Sequence, residues 1–284
     1  MRFLRTFWYH FRANIINKKY LASMALIFCT VYLICNPIYQ ASEYYNLNIN
    51  IGVIAIVINS AFMINILFVS ALLFFSDLPV RYPDQVLLLA RSSKRKWLLS
   101  QFLYVIVVSV MMAAFFVISI VIVCRGSLYT EDSWGKIITS MTQEEFLTKF
   151  EMGVTASAGM LSAVSPYEAV VWCLSGLILT WMMFGFIAIV LNLYVAEFAG
   201  ILVNGLMVFV RMMIGFFGME ELCCISPIHW CTTSILYNEY MVKMPSFTYI
   251  LVFRLVVLIG LLIAAIILSG KKMDLLRYLE RARS

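Results

Sequence analysis

The chain has 284 residues, of which 63% are hydrophobic and 13% are charged, with a formal net charge of +6. An average soluble domain has about 25% charged residues, and this much apolar surface cannot be hidden inside one soluble core. Disorder is excluded as well, because a disordered chain requires low hydrophobicity and high charge. The composition therefore predicts an integral membrane protein.

Six stretches are long enough to cross a membrane, since roughly 20 apolar residues span about 30 Å of hydrocarbon as a helix. They cover residues 20–39, 51–75, 98–124, 169–196, 198–219 and 250–269. Backbone groups must be satisfied within lipid, and the alternating pattern of a membrane β-barrel is absent, so helices are predicted. The predicted fold class is an all-α polytopic membrane protein, a single domain over 1–284 with six transmembrane helices.

The placement of Lys and Arg predicts how these spans are oriented. Residues 1–19, 76–97 and 270–284 each carry five basic residues, whereas the remaining loops together carry four. With six spans, the three basic segments lie on the same side. Both termini are therefore expected to be cytoplasmic, in a multi-pass protein of the cytoplasmic membrane.

Local signals predict further helices between the spans. Residues 165–168 form a capping box with proline at the first helical position, which predicts the start of the fourth span. Residues 142–145 form a second capping box, and Ser226 with Pro227 predicts another helix start. Region 220–249 is apolar yet broken by proline. It is expected to be a re-entrant hairpin in the outer leaflet, with an ordinary surface loop as the alternative.

Aromatic residues in the N-terminal segment follow helical spacing, while its arginines point elsewhere. The aromatic residues are Phe3, Phe7, Trp8 and Phe11. This pattern is typical of a helix that lies in the membrane interface. The alternative is a basic flank that only sets the orientation, but the aromatic periodicity exceeds what orientation requires.

The basic loop 76–97 contains a short apolar helix, predicted from Pro83 to about Ala90. Asp84 complements the helix dipole at its start. The residues that would contact a partner are Arg81, Pro83, Asp84, Val86, Leu87, Leu88 and Arg91. Docking to a partner is one interpretation, and packing beneath its own spans or on lipid is the other.

Two arginines lie within predicted spans, Arg211 in the fifth and Arg254 in the sixth. Arginine in hydrocarbon is costly, so each is expected to snorkel outward or to pair with an acidic residue. The candidate acidic partners are Glu220, Glu221 and Glu239. The alternative is that these arginines contact a substrate.

Other polar residues of the spans are candidates for a translocation path. They are Asn59, Asn65 and Asn204, together with Arg211, and Asn192 is a further asparagine of the same kind. Hydrogen bonds between helices explain the asparagines equally well. Ala196 and Gly200 form a small-xxx-small pair, which predicts close packing of the fifth span.

Motifs for catalysis and for nucleotide binding are absent from the sequence. There is no P-loop, no nucleophile elbow, and no zinc-protease or Cys-x-x-Cys motif. His229 with Cys231 is the single weak candidate for a catalytic group. Cys223, Cys224 and Cys231 would allow one disulfide, although apolar packing is the preferred interpretation. No cofactor, metal site or enzymatic activity is expected, and energy for transport must come from outside.

These features together resemble a known family. The stretches closest to it are residues 75–79, 88–91, 96–97 and 226–230, along with the order of interfacial helix, spans, loop helix and proline-broken hairpin. The chain resembles the type-2 export permeases of ATP-binding cassette (ABC) transporters, in the divergent form of Gram-positive bacteria. The insert 125–165 is longer than in a minimal member.

The resemblance implies a permease subunit of an ATP-driven exporter. Two permease copies, identical or paralogous, would work with two cytoplasmic ATPase subunits, which bind the ATP. The helix Pro83 to Arg91 would be the coupling helix, and the cargo would be amphipathic or hydrophobic, such as a peptide, a lipid-like molecule or a drug. The expected partners are the ATPase, a second permease and the bilayer, but not nucleic acid. The alternative is a non-transporting sensor, immunity or assembly factor that acts through regions 125–165 and 220–249.

Overall fold

The computed structural model describes residues 7–8, 11–12, 17–80, 94–233 and 245–271. Its α-helices are α1 (Lys18–Tyr45), α2 (Val53–Asn59), α3 (Ala61–Phe75), α4 (Lys94–Val123), α5 (Gly135–Ser140), α6 (Glu144–Lys149), α7 (Ala158–Ala163), α8 (Pro166–Tyr194), α9 (Ala199–Phe217) and α10 (Phe247–Lys271). Two short strands, β1 (Ile49–Asn50) and β2 (Leu128–Tyr129), pair in parallel. Two 3-10 helices cover Glu220–Cys224 and His229–Cys231.

Five helices are long and apolar enough to cross a membrane, namely α1, α4, α8, α9 and α10, and the bent pair α2–α3 would make a sixth span. The chain is thus an all-α, multi-pass membrane protein apart from the short β1–β2 pair. The helices extend beyond the apolar runs because polar residues form their ends. In α1, for example, the Asn17 side chain accepts a hydrogen bond from the Lys19 amide, and Asn46 ends the helix in the left-handed conformation.

The prediction of one continuous second span is wrong. The segment is divided at Ser60 into α2 and α3, which meet at 78°. Ser60 is extended, and its hydroxyl accepts a hydrogen bond from the Met63 amide, so that it serves as the N-cap of α3. The residues from Val53 to Ile58 are all buried. An N-cap serine in an otherwise apolar run allows the chain to turn and α2 to pack within the bundle.

The central helix of the bundle is α8, which packs against α4, α9, α10 and the α2–α3 pair. At one end of the bundle, Lys19 pairs with Asp77, and Tyr194 Oη donates to the carbonyl of Ala265. The ends of α1, α3, α8 and α10 at these residues therefore lie together. This basic end also carries the start of α4 with Lys94 to Lys96. The arrangement agrees with an even number of crossings, while the cytoplasmic location of the basic end stays a prediction.

The opposite, loop end is capped by the insert 125–165, which is folded onto the bundle. Asn50 Nδ2 donates to the carbonyls of Glu131 and Ser133, and the Trp134 indole donates to the carbonyl of Val164. Trp134 packs so tightly over Gly52 that a Cβ there would lie 2.7 Å from its ring. The insert is therefore part of the structural core.

Lys149 lies among aromatic rings at the same end. Its Nζ is 4.2 Å from the ring centroid of Tyr44 and 5.0 Å from that of Tyr45. A hydrogen bond from the ammonium to Tyr45 Oη raises the pKa of Lys149 above its ordinary value. The contact ties helix α6 to the end of α1.

The predicted capping boxes have different outcomes. At the start of α8 both reciprocal bonds between Ser165 and Glu168 are present, as predicted. At α6 the N-cap is Gln143 rather than Thr142, because the Thr142 hydroxyl donates back to the carbonyl of Thr139. The helix predicted from Ser226 is replaced by a turn, and a 3-10 helix begins at His229.

Replacing Ser165 by alanine is expected to lower the free energy of unfolding by about 1 kcal/mol, because the first turn of α8 loses its side-chain cap. The measurement is unfolding of the purified chain in mixed detergent micelles. Ser162→Ala is the control, since that hydroxyl bonds only one turn back, to the carbonyl of Gly159. Equal effects of the two substitutions would contradict the capping role.

Candidate functional site

All seven predicted coupling residues lie outside the described residues. They are Arg81, Pro83, Asp84, Val86, Leu87, Leu88 and Arg91. The coupling helix therefore stays a prediction from the sequence. The structure does describe the five residues that lead into it, 76–80, which we call the anchor segment.

The anchor segment is bonded to three different helices of the bundle. Lys19 Nζ on α1 lies 2.6 Å from Asp77 Oδ1. Asn192 Nδ2 on α8 donates to the carbonyl of Leu78 at 2.7 Å. On α4, Gln101 accepts from the Val80 amide at 3.1 Å.

Two of these side chains, Gln101 and Asn192, are buried, as are Leu78 and Val80. Buried amide side chains that complete backbone hydrogen bonds are costly to remove, because each deletion leaves a polar group unsatisfied. The sequence analysis did not identify this attachment. The sequence contained one signal for it. Each of two otherwise apolar spans has a single amide side chain near its basic end, namely Gln101 and Asn192.

Part of the predicted interfacial helix packs against the bundle. Phe3 lies outside the described residues, whereas Phe7 and Phe11 are half-buried against the core and Trp8 is 60% exposed. Phe11 lines a cavity of about 210 Å³ between the N-terminal segment, α1 and α4. The other lining residues are Tyr20, Met24, Tyr104, Val108, Met111, Met112 and Phe115. The placement of this helix in the membrane interface stays a prediction.

A polar cluster surrounds the break in the second span. It consists of Asn59, Asn65, Arg211, Arg254 and Thr233, which come from four separate parts of the chain. Asn59 Nδ2 donates to Thr233 Oγ1 at 2.9 Å, and the Thr233 amide donates to Asn59 Oδ1 at 2.9 Å. This reciprocal pair fixes the segment that follows the second 3-10 helix to the end of α2.

Arg211 binds the other side of the break. Its Nη1 donates to Asn65 Oδ1 at 2.9 Å and to the carbonyl of Ala61 at 3.5 Å. The carbonyl of Ala61 and the side chain of Asn65 both belong to α3. Arg211 therefore connects α9 to the first turns of α3.

Arg254 connects α10 to the residues at and just before the second 3-10 helix. Its Nη2 donates to the carbonyl of Pro227 at 3.2 Å and to Cys231 Sγ at 3.4 Å. Cys231 also lies 3.3 Å from Thr180 Oγ1, in the middle of α8. The residues around Cys231 thus lie inside the bundle, and the re-entrant hairpin stays a prediction. Its return arm lies outside the described residues.

The prediction that the two arginines snorkel outward is wrong. Arg211 is 6% exposed and Arg254 is 1% exposed, because carbonyls from neighbouring segments bind their guanidinium groups inside the fold. Pairing with the three glutamates stays untested. Glu239 and the side chains of Glu220 and Glu221 lie outside the described residues.

The structure divides the residues predicted for a translocation path into two places. Asn59, Asn65 and Arg211 belong to the polar cluster. Asn204 lies apart from it and donates to the carbonyl of Phe184 on α8 at 2.9 Å. All three asparagines make the contacts between helices that were the alternative interpretation, and their part in a path stays a prediction.

Neither a disulfide nor a metal-binding group occurs in the part of the chain that the structure describes, in which all seven cysteines are free. Cys223 and Cys231 are buried, and Cys231 contributes to the polar cluster as an acceptor from Arg254. His229, two residues before Cys231, is 3% exposed. No protein-family model, no curated protein and no solved structure matches this chain.

Proposed function

We propose that this chain is the membrane-spanning permease subunit of an ATP-driven exporter that moves amphipathic or hydrophobic molecules across the cytoplasmic membrane. A separate cytoplasmic ATPase subunit would bind the ATP, and a second permease copy or paralogue would complete the transporter. The proposal requires a connection between the ATPase and the spans. The observation that carries it is the attachment of the anchor segment to α1, α4 and α8.

The attachment supplies the mechanical link that such a subunit needs. A force on loop 81–93 reaches the anchor segment through the backbone at Val80. From there the Asp77–Lys19 pair, the Leu78–Asn192 bond and the Val80–Gln101 bond transmit it to three spans. Rigid elements joined in this way move together when a docked domain shifts. A loop without these bonds would move by itself.

The polar cluster supports an amphipathic cargo. Most of the bundle is apolar, yet two permanently charged guanidinium groups and two amides are collected beside the broken span. Arg211 and the two amides flank the break itself, and Arg254 binds the segment that reaches it through Thr233. Polar and ionisable groups in a membrane bundle are expensive and mark pathways for polar cargo. A molecule with a polar head and an apolar tail would find both kinds of surface here.

The test is to purify the tagged chain from native membranes and identify what accompanies it. A P-loop ATPase is expected in about equal amount. Changing Leu87 and Leu88 together to Asp is expected to reduce the recovered ATPase at least about tenfold, because two buried apolar contacts are each worth about 1.5–3 kcal/mol.

Val195→Asp provides the matched control for this experiment. Val195 is 70% exposed in the turn between α8 and α9, at the same basic end. The substitution adds a carboxylate to the same end of the bundle without altering the loop, so ATPase recovery should not change. Full recovery with the double Leu variant, or ATP hydrolysis by the chain alone, would refute the proposal.

A further inference from the structure

Two buried arginines lie near the Asn59–Thr233 pair in the interior of the bundle. Arg211 binds the carbonyl of Ala61, two residues after Asn59, and Arg254 binds Cys231 Sγ, two residues before Thr233. His229 is buried in the same 3-10 helix as Cys231. Arg211 is six residues from the end of α9 at Phe217, and Arg254 is seven residues from the start of α10 at Phe247. At 1.5 Å per residue, both lie about 10 Å from the loop end of their helices.

Several buried nitrogen atoms of Arg211, Arg254 and His229 have no hydrogen-bond partner. The Nε atoms of Arg211 and Arg254 and the Nδ1 atom of His229 are buried without a hydrogen-bond partner. The bonds of the two guanidinium groups to described residues all come from one terminal nitrogen of each. An arginine carries five N–H donors and cannot lose its charge in a protein. Each of the two side chains therefore has an unused Nε donor inside the bundle.

Within the part of the chain that the structure describes, no carboxylate balances the charge of the two arginines, because the one ion pair there joins Lys19 to Asp77 at the basic end. Arg211 and Arg254 instead bind neutral carbonyl, amide and thiol groups. Two like charges in a region of low dielectric constant are unfavourable unless an opposite charge lies close by. Neutral donors would satisfy the same carbonyls without that cost.

We propose that Arg211 and Arg254, with His229, bind an oxyanion at this place, a phosphate or carboxylate group. The forked guanidinium group binds such groups through two parallel hydrogen bonds. The oxyanion belongs to the head group of the transported amphipathic molecule, and this one point rests on the proposed function. Its tail would lie along the apolar bundle.

The test measures binding to the purified full chain in a detergent without charge, with no ATPase present. The probes are dioctanoyl phosphatidylglycerol, dioctanoylglycerol, which has the same tails but no oxyanion, and inorganic phosphate. The readout is the midpoint of thermal unfolding. Phosphatidylglycerol should raise the midpoint in a saturable manner, whereas dioctanoylglycerol should not. A similar rise with inorganic phosphate identifies the oxyanion alone as sufficient, and a rise with phosphatidylglycerol only identifies a head group attached to tails.

The double variant Arg211→Met with Arg254→Met should weaken the binding of phosphatidylglycerol at least about tenfold, because charge-assisted hydrogen bonds are lost. Arg125→Met is the matched control, since Arg125 is exposed at the loop end, over the ring of Tyr39. Its affinity should equal that of the unaltered chain. Unchanged affinity in the double variant would overturn the proposal.

Two further measurements keep the proposal testable if the double variant does not fold. Arg254→Lys keeps the charge but loses the fork, so its affinity should fall by a smaller factor. In the unaltered chain, an equal response to phosphatidylglycerol and dioctanoylglycerol overturns the oxyanion site. Because this assay contains no ATPase, a failure here and a failure of ATPase recovery are separate results.

Discussion

Replacing Asn192 by leucine is expected to lower the free energy of unfolding by about 3 kcal/mol, since two buried backbone groups lose their partner. Asn192 Nδ2 donates to the carbonyl of Leu78, and its Oδ1 accepts from the amide of Gly200 at 2.8 Å. Leu78 and Gly200 are both buried. Leucine has a similar size, so the change removes the hydrogen bonds and leaves little cavity.

The bond to Gly200 has a particular role at the start of α9. The first amides of a helix have no partner within the helix, and the N-cap residue Phe198 provides no side-chain acceptor. Asn192 on α8 supplies that acceptor from the neighbouring span. The same side chain therefore caps α9 and fixes the anchor segment.

Asn204→Leu is the matched control for this prediction. Asn204 is also a buried asparagine between α8 and α9, but it makes one bond, to the carbonyl of Phe184, while its Oδ1 has no partner. Asn204→Leu is therefore expected to lower the free energy of unfolding by about 1 kcal/mol. Unfolding of both variants in mixed detergent micelles gives the comparison. Equal losses would contradict the double role of Asn192.

The long apolar helices could be predicted from the sequence because the apolar run in each of them contains at most one charged residue. The start of α8 could be predicted as well, since all the residues of its capping box lie within four positions. These signals are local. Packing in the membrane interior does not alter them, because a lipid environment requires helices in any case.

The break in the second span could not be predicted from its apolar run. The only local signal is the adjacent pair Asn59 and Ser60, which a straight helix would also tolerate. What stabilises the turn is the reciprocal bond between Asn59 and Thr233, 174 positions apart. A contact over that separation leaves no periodic pattern in the sequence.

Snorkelling of the two arginines was predicted wrongly for the same reason, whereas their pairing with glutamates stays a prediction. Snorkelling is the expected behaviour of an arginine whose helix faces lipid. Arg211 and Arg254 instead meet carbonyls of Ala61 and Pro227 from other parts of the chain. The carbonyl of Pro227 is available only because the segment after α9 enters the bundle, and Ala61 lies in the first turn of α3, directly after the break. The candidate site is thus a product of tertiary structure.

Replacing Gly200 by alanine is expected to destabilise the fold by about 3 kcal/mol, through a collision between α8 and α9. A Cβ at Gly200 would lie 2.5 Å from Ala188 Cα and 3.1 Å from the carbonyl oxygen of Ala188. Both are backbone atoms of the central helix, so no side chain can move aside. The small residue predicted to allow close packing of the fifth span is therefore required at this point.

Gly205→Ala on the same helix is expected to have the opposite effect on the free energy of unfolding. No atom lies within 4 Å of a Cβ built there, so the substitution adds no collision. Alanine is favoured over glycine inside a helix by roughly 0.5–1 kcal/mol, and Gly205→Ala should stabilise the protein by about that amount. The two variants differ only in where one methyl group is placed on α9. A loss of stability in both would show that α9 tolerates no added side chain on either face, and the contact with Ala188 would then not be the cause.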